Sequence, residues 1–463
     1  MRPPLNCGAD VKHKPQRIAI GCAAGFAGDR LDAAEPVVRT LIRTGLPAFL
    51  IFETLAERTL AIAQARRQAD PAAGYEPNLR AMVEPVLADC LRHGIRIVSN
   101  FGAANPLAAA RLLKAMAAAH GLSPRIAVID GDDLSGPQHR ELLAAQLPPG
   151  FDLDAIVSAN AYIGAEAIAD ALRAGADIVV AGRVADPSLA VGPAMASFGW
   201  AADDWDRLAR ATMAGHLLEC GAQVCGGYFA DPGYKDVPEL HAVGFPVLEL
   251  DEDGGMLIGK ADGTGGAVSL RTVKEQLLYE VHDPAAYLTP DVSASIAEAE
   301  ARAAGADQVI VSGVRGRPRP DRLKVNVCTP GPWIAEGEIS YAGPGAEARA
   351  RLAAEVLRRR LPDMSLRVDL IGVVSVLGDS AGDLLARRHT GGEDVRLRVA
   401  SATTDRSAAE RLAAEVTALY TCGPAGGGGV RTSLRSQLEL TSCFVPRAAV
   451  RASFRMLERV SER

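Results

Sequence analysis

"IRIVSNFGAANPLAAARLLKAMAAAHGLSPRIAVID", residues 95–130, holds two short β-branched runs around one stretch of helical periodicity. "IRIVSN" (95–100) and "RIAVID" (125–130) read as strands. The segment between them reads as a helix, with proline near its start and glycine past its end. The alternation continues outward, with further strands expected at "RIAIG" (17–21), "AFLIFE" (48–53), "DAIVSAN" (154–160) and "ADIVVAG" (176–182). This pattern predicts an α/β domain with a Rossmann-like, mostly parallel open sheet, helices on both faces and right-handed crossovers. Six strands favour that open sheet over an eight-stranded barrel, which stands as the alternative.

The domain is expected over 1–250. An irregular Gly- and Pro-rich connection follows over 251–306, and a smaller α+β domain over 307–463, with a Gly-rich loop at 423–429. In the smaller domain "DQVIVSGV", "RLKVNVC", "WIAEGEISY", "SLRVDLIGV" and "VRLRVASAT" read as strands, and "AEARARLAAEVLRRRL" and "SAAERLAAEVTALY" as helices.

Of the 463 residues, 48% are hydrophobic and 23% charged, with 50 basic and 56 acidic residues interleaved to a net charge of −6. That is the composition of a soluble α/β protein, and without a basic stripe no nucleic-acid partner is expected. No apolar run approaches the ~18 residues of a membrane span, and "MRPPLNCGADVKHKPQ" (1–16) lacks a signal-peptide core. Cys7, Cys22, Cys90, Cys220, Cys225, Cys328, Cys422 and Cys443 are scattered without framework spacing, as reduced thiols are. The expected location is cytoplasmic.

Chemistry on such a sheet sits in the loops after the strands' carboxyl ends. Those loops carry Asp29 and Arg30, Glu53, Asn100 and Asn105, Asp132 and Asp133, Asn160, and Arg183 and Asp186. Each asparagine or aspartate also suits helix capping. The loop after the first strand spaces its glycines GxxxGxxG rather than GxGxxG, and Asp29 would set a negative charge against a pyrophosphate. An NAD-linked oxidoreductase is therefore the third-ranked reading. In "YTCGPAGGGGVR" (420–431) the run Gly426, Gly427, Gly428 and Gly429 offers backbone N–H groups to an anion, with Arg431 adding charge. The alternative is a flexible loop closing the preceding helix.

"GHLLECGAQVCGG" (215–227) concentrates polar chemistry at a helix end, with Gly221 as the stop. His216, Glu219 and Cys220 share one face of the last turn. His-x3-Cys-x4-Cys lacks a distant partner pair, so no metal is expected. The helix dipole raises the pKa of Cys220 and disfavours a thiolate nucleophile. The same field favours a protonated His216 and a neutral Glu219, as acid–base work requires. The alternative is a satisfied polar cluster.

Together "GFAGDR" (25–30), "IVSNFGAANP" (97–106), "GDDL" (131–134), "ANAYIGA" (159–165), "ADIVVAGRVADPSL" (176–189), "GHLLECGAQVCGG" (215–227), "DGTGGAVS" (262–269), "SGVRGRPRPDRLKV" (312–325) and "YTCGPAGGGGVR" (420–431) resemble the acyclic terpene utilisation (AtuA) family. The resemblance implies a place in the breakdown of citronellol- and geraniol-type compounds as CoA thioesters, alongside a small ferredoxin-like domain or subunit. Ala103, Ala104 and Cys225 depart from the family's usual residues, which leaves another pathway open. No catalytic residue is carried over from the resemblance.

The first reading is a cofactor-independent lyase or hydratase/dehydratase acting on a branched hydroxy-acyl or enoyl CoA thioester or related acid. His216 and Glu219 would be its acid and base, and no cofactor would be tightly bound. The substrate would be held by Asp29, Arg30, Asn100, Asn105, Asp132, Asp133, Asn160, Arg183 and Asp186, and by Gly426, Gly427, Gly428, Gly429 and Arg431. The second reading is a non-catalytic binding or scaffold subunit needing a small partner. A homo-oligomer is expected.

Overall fold

The computed structural model describes residues 14–379 and 381–458, so Cys7 lies outside the described residues. The chain divides into two compact units: one reaches Val327 and resumes at Leu440, and the other is Cys328–Glu439. The division falls within two long strands, Arg322–Ala342 and Gly428–Pro446.

Ten strands of the first unit form one sheet. In chain order they are β1 (Arg17–Cys22), β2 (Ala48–Phe52), β3 (Arg96–Ser99), β4 (Ile126–Asp130), β5 (Ile178–Val180), β6 (Pro246–Asp251), β7 (Met256–Lys260), β8 (Glu300–Gly305), β9 (Gln308–Ser312) and β10 (Ser453–Met456). Their spatial order is β8-β9-β7-β6-β1-β2-β3-β5-β4-β10. The run β1-β2-β3-β5-β4 is parallel, and every other neighbour pair is antiparallel.

Side-chain alternation along the central strands fills two cores. Ile18, Ile20, Phe49, Ile51 and Val98 face helices Glu166–Arg173, Ser188–Phe198 and Trp205–Glu219. Ala19, Leu50, Phe52, Ile97 and Val128 face helices Ala34–Thr44, Leu79–Arg92 and Pro106–Ala119. Burial on both faces explains why these strands are near-continuous apolar runs. The steps from β1 to β4 advance one way along the sheet, and the step to β5 returns. Right-handed crossovers therefore put Glu166–Arg173 on the opposite face from the earlier helices.

The sheet expected to be mostly parallel is thus mixed. Antiparallel β6 and β7 join through "EDGG" (252–255), a turn of the Asp-Gly type, with Leu250 opposite Met256. They and β8 come from segments at or inside the stretch expected to be irregular. The run at 154–160 gives the strand Ser158–Ala161, which lies outside the ten-strand sheet and pairs with Arg322–Ala342. Among the described residues no helix is long and apolar enough to cross a membrane.

In the second unit Arg367–Ile371, Asp394–Thr403, Arg322–Ala342 and Gly428–Pro446 follow one another in a sheet. Helices Ala346–Arg360 and Arg406–Cys422 pack there around Ile339, Leu357, Leu412 and Val416.

Helix Trp205–Glu219 is buried along nearly all of its second half, and two glycines set its position. A Cβ on Gly215 would lie 2.6 Å from the Pro187 carbonyl oxygen, and one on Gly25 would lie 2.4 Å from the Cys220 carbonyl carbon. Only bare backbone fits either contact. Gly→Ala in a helix interior normally stabilises by roughly 1 kcal/mol, whereas overpacking costs about 1–3 kcal/mol. We expect Gly215→Ala to destabilise the protein, read as a lower denaturation midpoint; a raised midpoint would refute the close contact.

Candidate active site

β2 and β5 end in loops that meet around one guanidinium. Arg183 is 1% exposed. Its Nη1 donates to the Leu55 carbonyl at 2.5 Å, and Nε and Nη2 donate to that of Val184 at 2.9 and 2.6 Å. Nη2 also pairs with Asp186 Oδ1, and the Tyr162 ring lies 4.6 Å from the guanidinium carbon. Burial opposes its charge, but the neighbouring Asp186 counters that, and Arg183 stays cationic.

Around it lies a cavity of about 1070 Å³, lined entirely by the first unit. Its acids are Asp29, Glu53, Glu57, Asp186, Glu219, Glu280 and Asp321, against Arg183, Arg322 and Lys324. Exposed Phe26, Tyr228, Leu288 and Phe444 add apolar surface to the lining. So many acids cannot all ionise cheaply. Glu53 accepts hydrogen bonds from the Leu55 amide at 2.7 Å and Asn100 Nδ2 at 2.8 Å. Burial, then Asp186, nevertheless push its pKa well up. Burial also resists ionisation of Glu57, yet its own backbone N–H, Tyr162 and Lys324 bring it down to about 2. The cavity therefore mixes neutral and charged carboxyls.

Glu219 lies at the end of its helix, where Gly221 turns the chain at φ +56°. Its Oε1 is 3.0 Å from His216 Nδ1, while His216 Nε2 is 2.8 Å from the Gln276 carbonyl. Glu219 Oε2 is buried without a partner among the described residues. Burial, then Asp186 and Glu280, push Glu219 well above the usual carboxylate range. His216 does not carry the charge expected from the helix dipole. Burial pushes it down to about 4. Desolvation is worth up to 3–5 pKa units, or roughly 4–7 kcal/mol, against at most about 2 kcal/mol for the dipole. Cys220 also lines the cavity, with its thiol pKa raised by burial and by Glu219.

The structure brings Asp29, Arg183, Asp186 and Glu219 to the cavity wall. His216 sits behind Glu219. Asn100 holds Glu53, and Asp132 Oδ2 accepts from the Arg183 amide and Asn160 Nδ2, each at 2.9 Å. Three strand-end residues serve local structure instead. Asn105 caps helix Pro106–Ala119 through the Ala108 amide, Asp133 closes a turn onto Ser135, and Arg30 bonds Asp32 and the carbonyls of His241 and Val243. Asp29 accepts from the Gly25 amide at 2.8 Å, so that N–H is already engaged within the loop.

Gly426, Gly427, Gly428, Gly429 and Arg431 belong to the second unit. A Cβ on Gly427 would lie 2.8 Å from Ile339 Cδ1, so that glycine packs closely against the core of its own unit. Sequence reasoning missed Glu57, Tyr162, Tyr287 and Lys324 as site residues. Tyr162 and Lys324 have a shared signal, since the Tyr162 amide bonds the Lys324 carbonyl, but that pairing is long-range. Among the described residues no group of three or more His, Cys, Asp or Glu side chains is arranged to hold a metal ion.

These features define a mixed α/β protein with an acidic, strand-end cavity built on one buried arginine. Residues 18–456 match the model of the acyclic terpene utilisation family protein AtuA, and the chain belongs to that family. No curated protein and no solved structure matches it.

Asp132, which accepts from the Arg183 amide, offers a direct check of the support behind the site. Burial raises its pKa to about 6, from a usual value near 3.8. A raised carboxylate contributes stability below its unfolded pKa and loses it as pH rises through the folded one. Asp132→Asn, whose amide oxygen can keep both hydrogen bonds, should gain on wild type as pH rises from about 4 to about 6 and keep that gain above it. The relative gain should be on the order of 3 kcal/mol in denaturation experiments. A pH-independent difference would contradict this assignment.

Proposed function

We propose that the protein is an acid–base enzyme of the lyase or hydratase/dehydratase kind, acting on a hydroxy-acyl or enoyl thioester or related acid. The observation that carries this reading is Glu219: a cavity-lining carboxyl with one oxygen bonded to His216 and the other without a partner among the described residues. A carboxyl held neutral at neutral pH can exchange a proton with a bound substrate, a task that commonly contributes 10²–10⁴-fold to rate. The cationic Arg183 in the same wall offers a counter-charge for an oxyanion. The apolar side chains Phe26, Leu288 and Phe444 suit an acyl chain, and the raised thiol pKa of Cys220 argues against a covalent thioester route.

His216 touches no cavity surface and acts through Glu219, as a positioning residue. No tightly bound cofactor is required by this chemistry. CoA as the thioester carrier, a cytoplasmic location, a homo-oligomer and a separate small ferredoxin-like subunit belong to the same proposal.

Turnover of 3-hydroxyacyl or 2-enoyl thioesters tests it. Glu219→Gln should lower kcat by roughly 100-fold or more and His216→Ala by a comparable factor, with the fold intact by circular dichroism. Cys220→Ser should keep most activity. A serine variant as inactive as the glutamine one would make the cysteine the nucleophile instead.

A further inference from the structure

Burial keeps His216 uncharged, and with a neutral imidazole the contacts fix the hydrogens around Glu219. The Gln276 carbonyl can only accept, so the 2.8 Å contact places a hydrogen on His216 Nε2. A neutral imidazole then has Nδ1 as an acceptor, and the 3.0 Å contact to Glu219 Oε1 requires the carboxyl to be the donor. The proton of Glu219 thus sits on its inner oxygen. Gln276 locks this arrangement from both sides, since its Nε2 donates to the His216 carbonyl at 3.1 Å. The other oxygen, Oε2, is left as a bare acceptor on a side chain that lines the cavity. It is buried and nothing among the described residues donates to it. Arg183, the nearby cation, is already engaged by two carbonyls and Asp186.

We infer that Glu219 Oε2 receives a hydrogen bond from an uncharged hydroxyl of the ligand, so that the site selects the hydroxy compound over its oxo counterpart. An oxo group brings only lone pairs to an oxygen that also has only lone pairs. A carboxylate at this point would face Asp186 and Glu280 as well as Glu219, and an ammonium would meet the Arg183 charge. A hydroxyl satisfies Oε2 without adding charge. This deepens the acid–base reading above and rests on it, because it names which partner of a hydroxy/oxo or hydroxy/enoyl pair docks at Glu219.

The test measures calorimetric binding of three N-acetylcysteamine thioesters, carrying 3-hydroxybutanoyl, 3-oxobutanoyl and 3-aminobutanoyl groups. Wild type should prefer the hydroxy ligand over the oxo one by about tenfold or more, the usual effect of leaving a buried acceptor unpaired. Glu219→Gln separates this account from its opposite. Its amide nitrogen can donate to His216 Nδ1 and leave its carbonyl toward the cavity, so the hydroxy preference should persist within about threefold while turnover is lost. Glu219→Leu should abolish the preference.

Equal or oxo-favouring binding in wild type, tighter binding of the amino ligand, or loss of the preference in Glu219→Gln would each overturn the inference. If turnover survives that result, only the inference falls. A hydroxy preference with full turnover in Glu219→Gln would keep the inference and remove the acid–base role. No binding of any of the three to folded wild type overturns the inference.

Discussion

The guanidinium of Arg183 is the interaction on which the rest of the site depends. A buried cation without partners costs several kcal/mol, so its surroundings must supply acceptors. They come from separate stretches of chain: the Leu55 carbonyl after β2, Tyr162 after the strand Ser158–Ala161, and Val184 and Asp186 after β5. Asp132, after β4, fixes the Arg183 backbone. One charge thereby draws together loops that the sheet alone would only bring near one another. It also lowers the pKa of Asp186 against the burial and the neighbouring acids that raise it.

That crowding determines the chemistry. Desolvation and the neighbouring Asp186 and Glu280 favour the protonated form of Glu219, while burial favours the neutral form of His216. Two groups that would form an ion pair on a surface are here a neutral acid and a neutral base. Gly215 and Gly25 hold them in place, because they let the helix backbone approach Pro187 and let the first loop approach Cys220. Packing, protonation and hydrogen-bond direction are thus consequences of one close-fitting helix end.

The parallel strands were legible in the sequence because burial on both faces gives continuous apolar runs such as "AFLIF" and "IAVID". β8, "EARAAG", was not legible, since its side chains are mostly exposed and carry no apolar pattern. β10, "SFRM", is too short to read without its partner β4. In the site, Glu219 and His216 were visible because both lie in one helical turn. Lys324 was not, because it reaches Glu57 across 267 residues of sequence. The charge state of His216 was misjudged because the helix dipole can be read from sequence and the depth of burial cannot. Asn105 and Asp133 show the converse: capping residues occupy the same strand-end positions as ligands, and only geometry separates them.

The central claim is that Glu219 and His216 are both uncharged at neutral pH, with the shared proton on the carboxyl. An infrared difference spectrum between wild type and Glu219→Gln at neutral pH addresses it directly. The account predicts a wild-type band from a protonated carboxyl C=O stretch that disappears in the variant, with no change in the carboxylate bands. Loss of a carboxylate band pair without any protonated-carboxyl band would mean that His216 holds the proton, and would contradict the account.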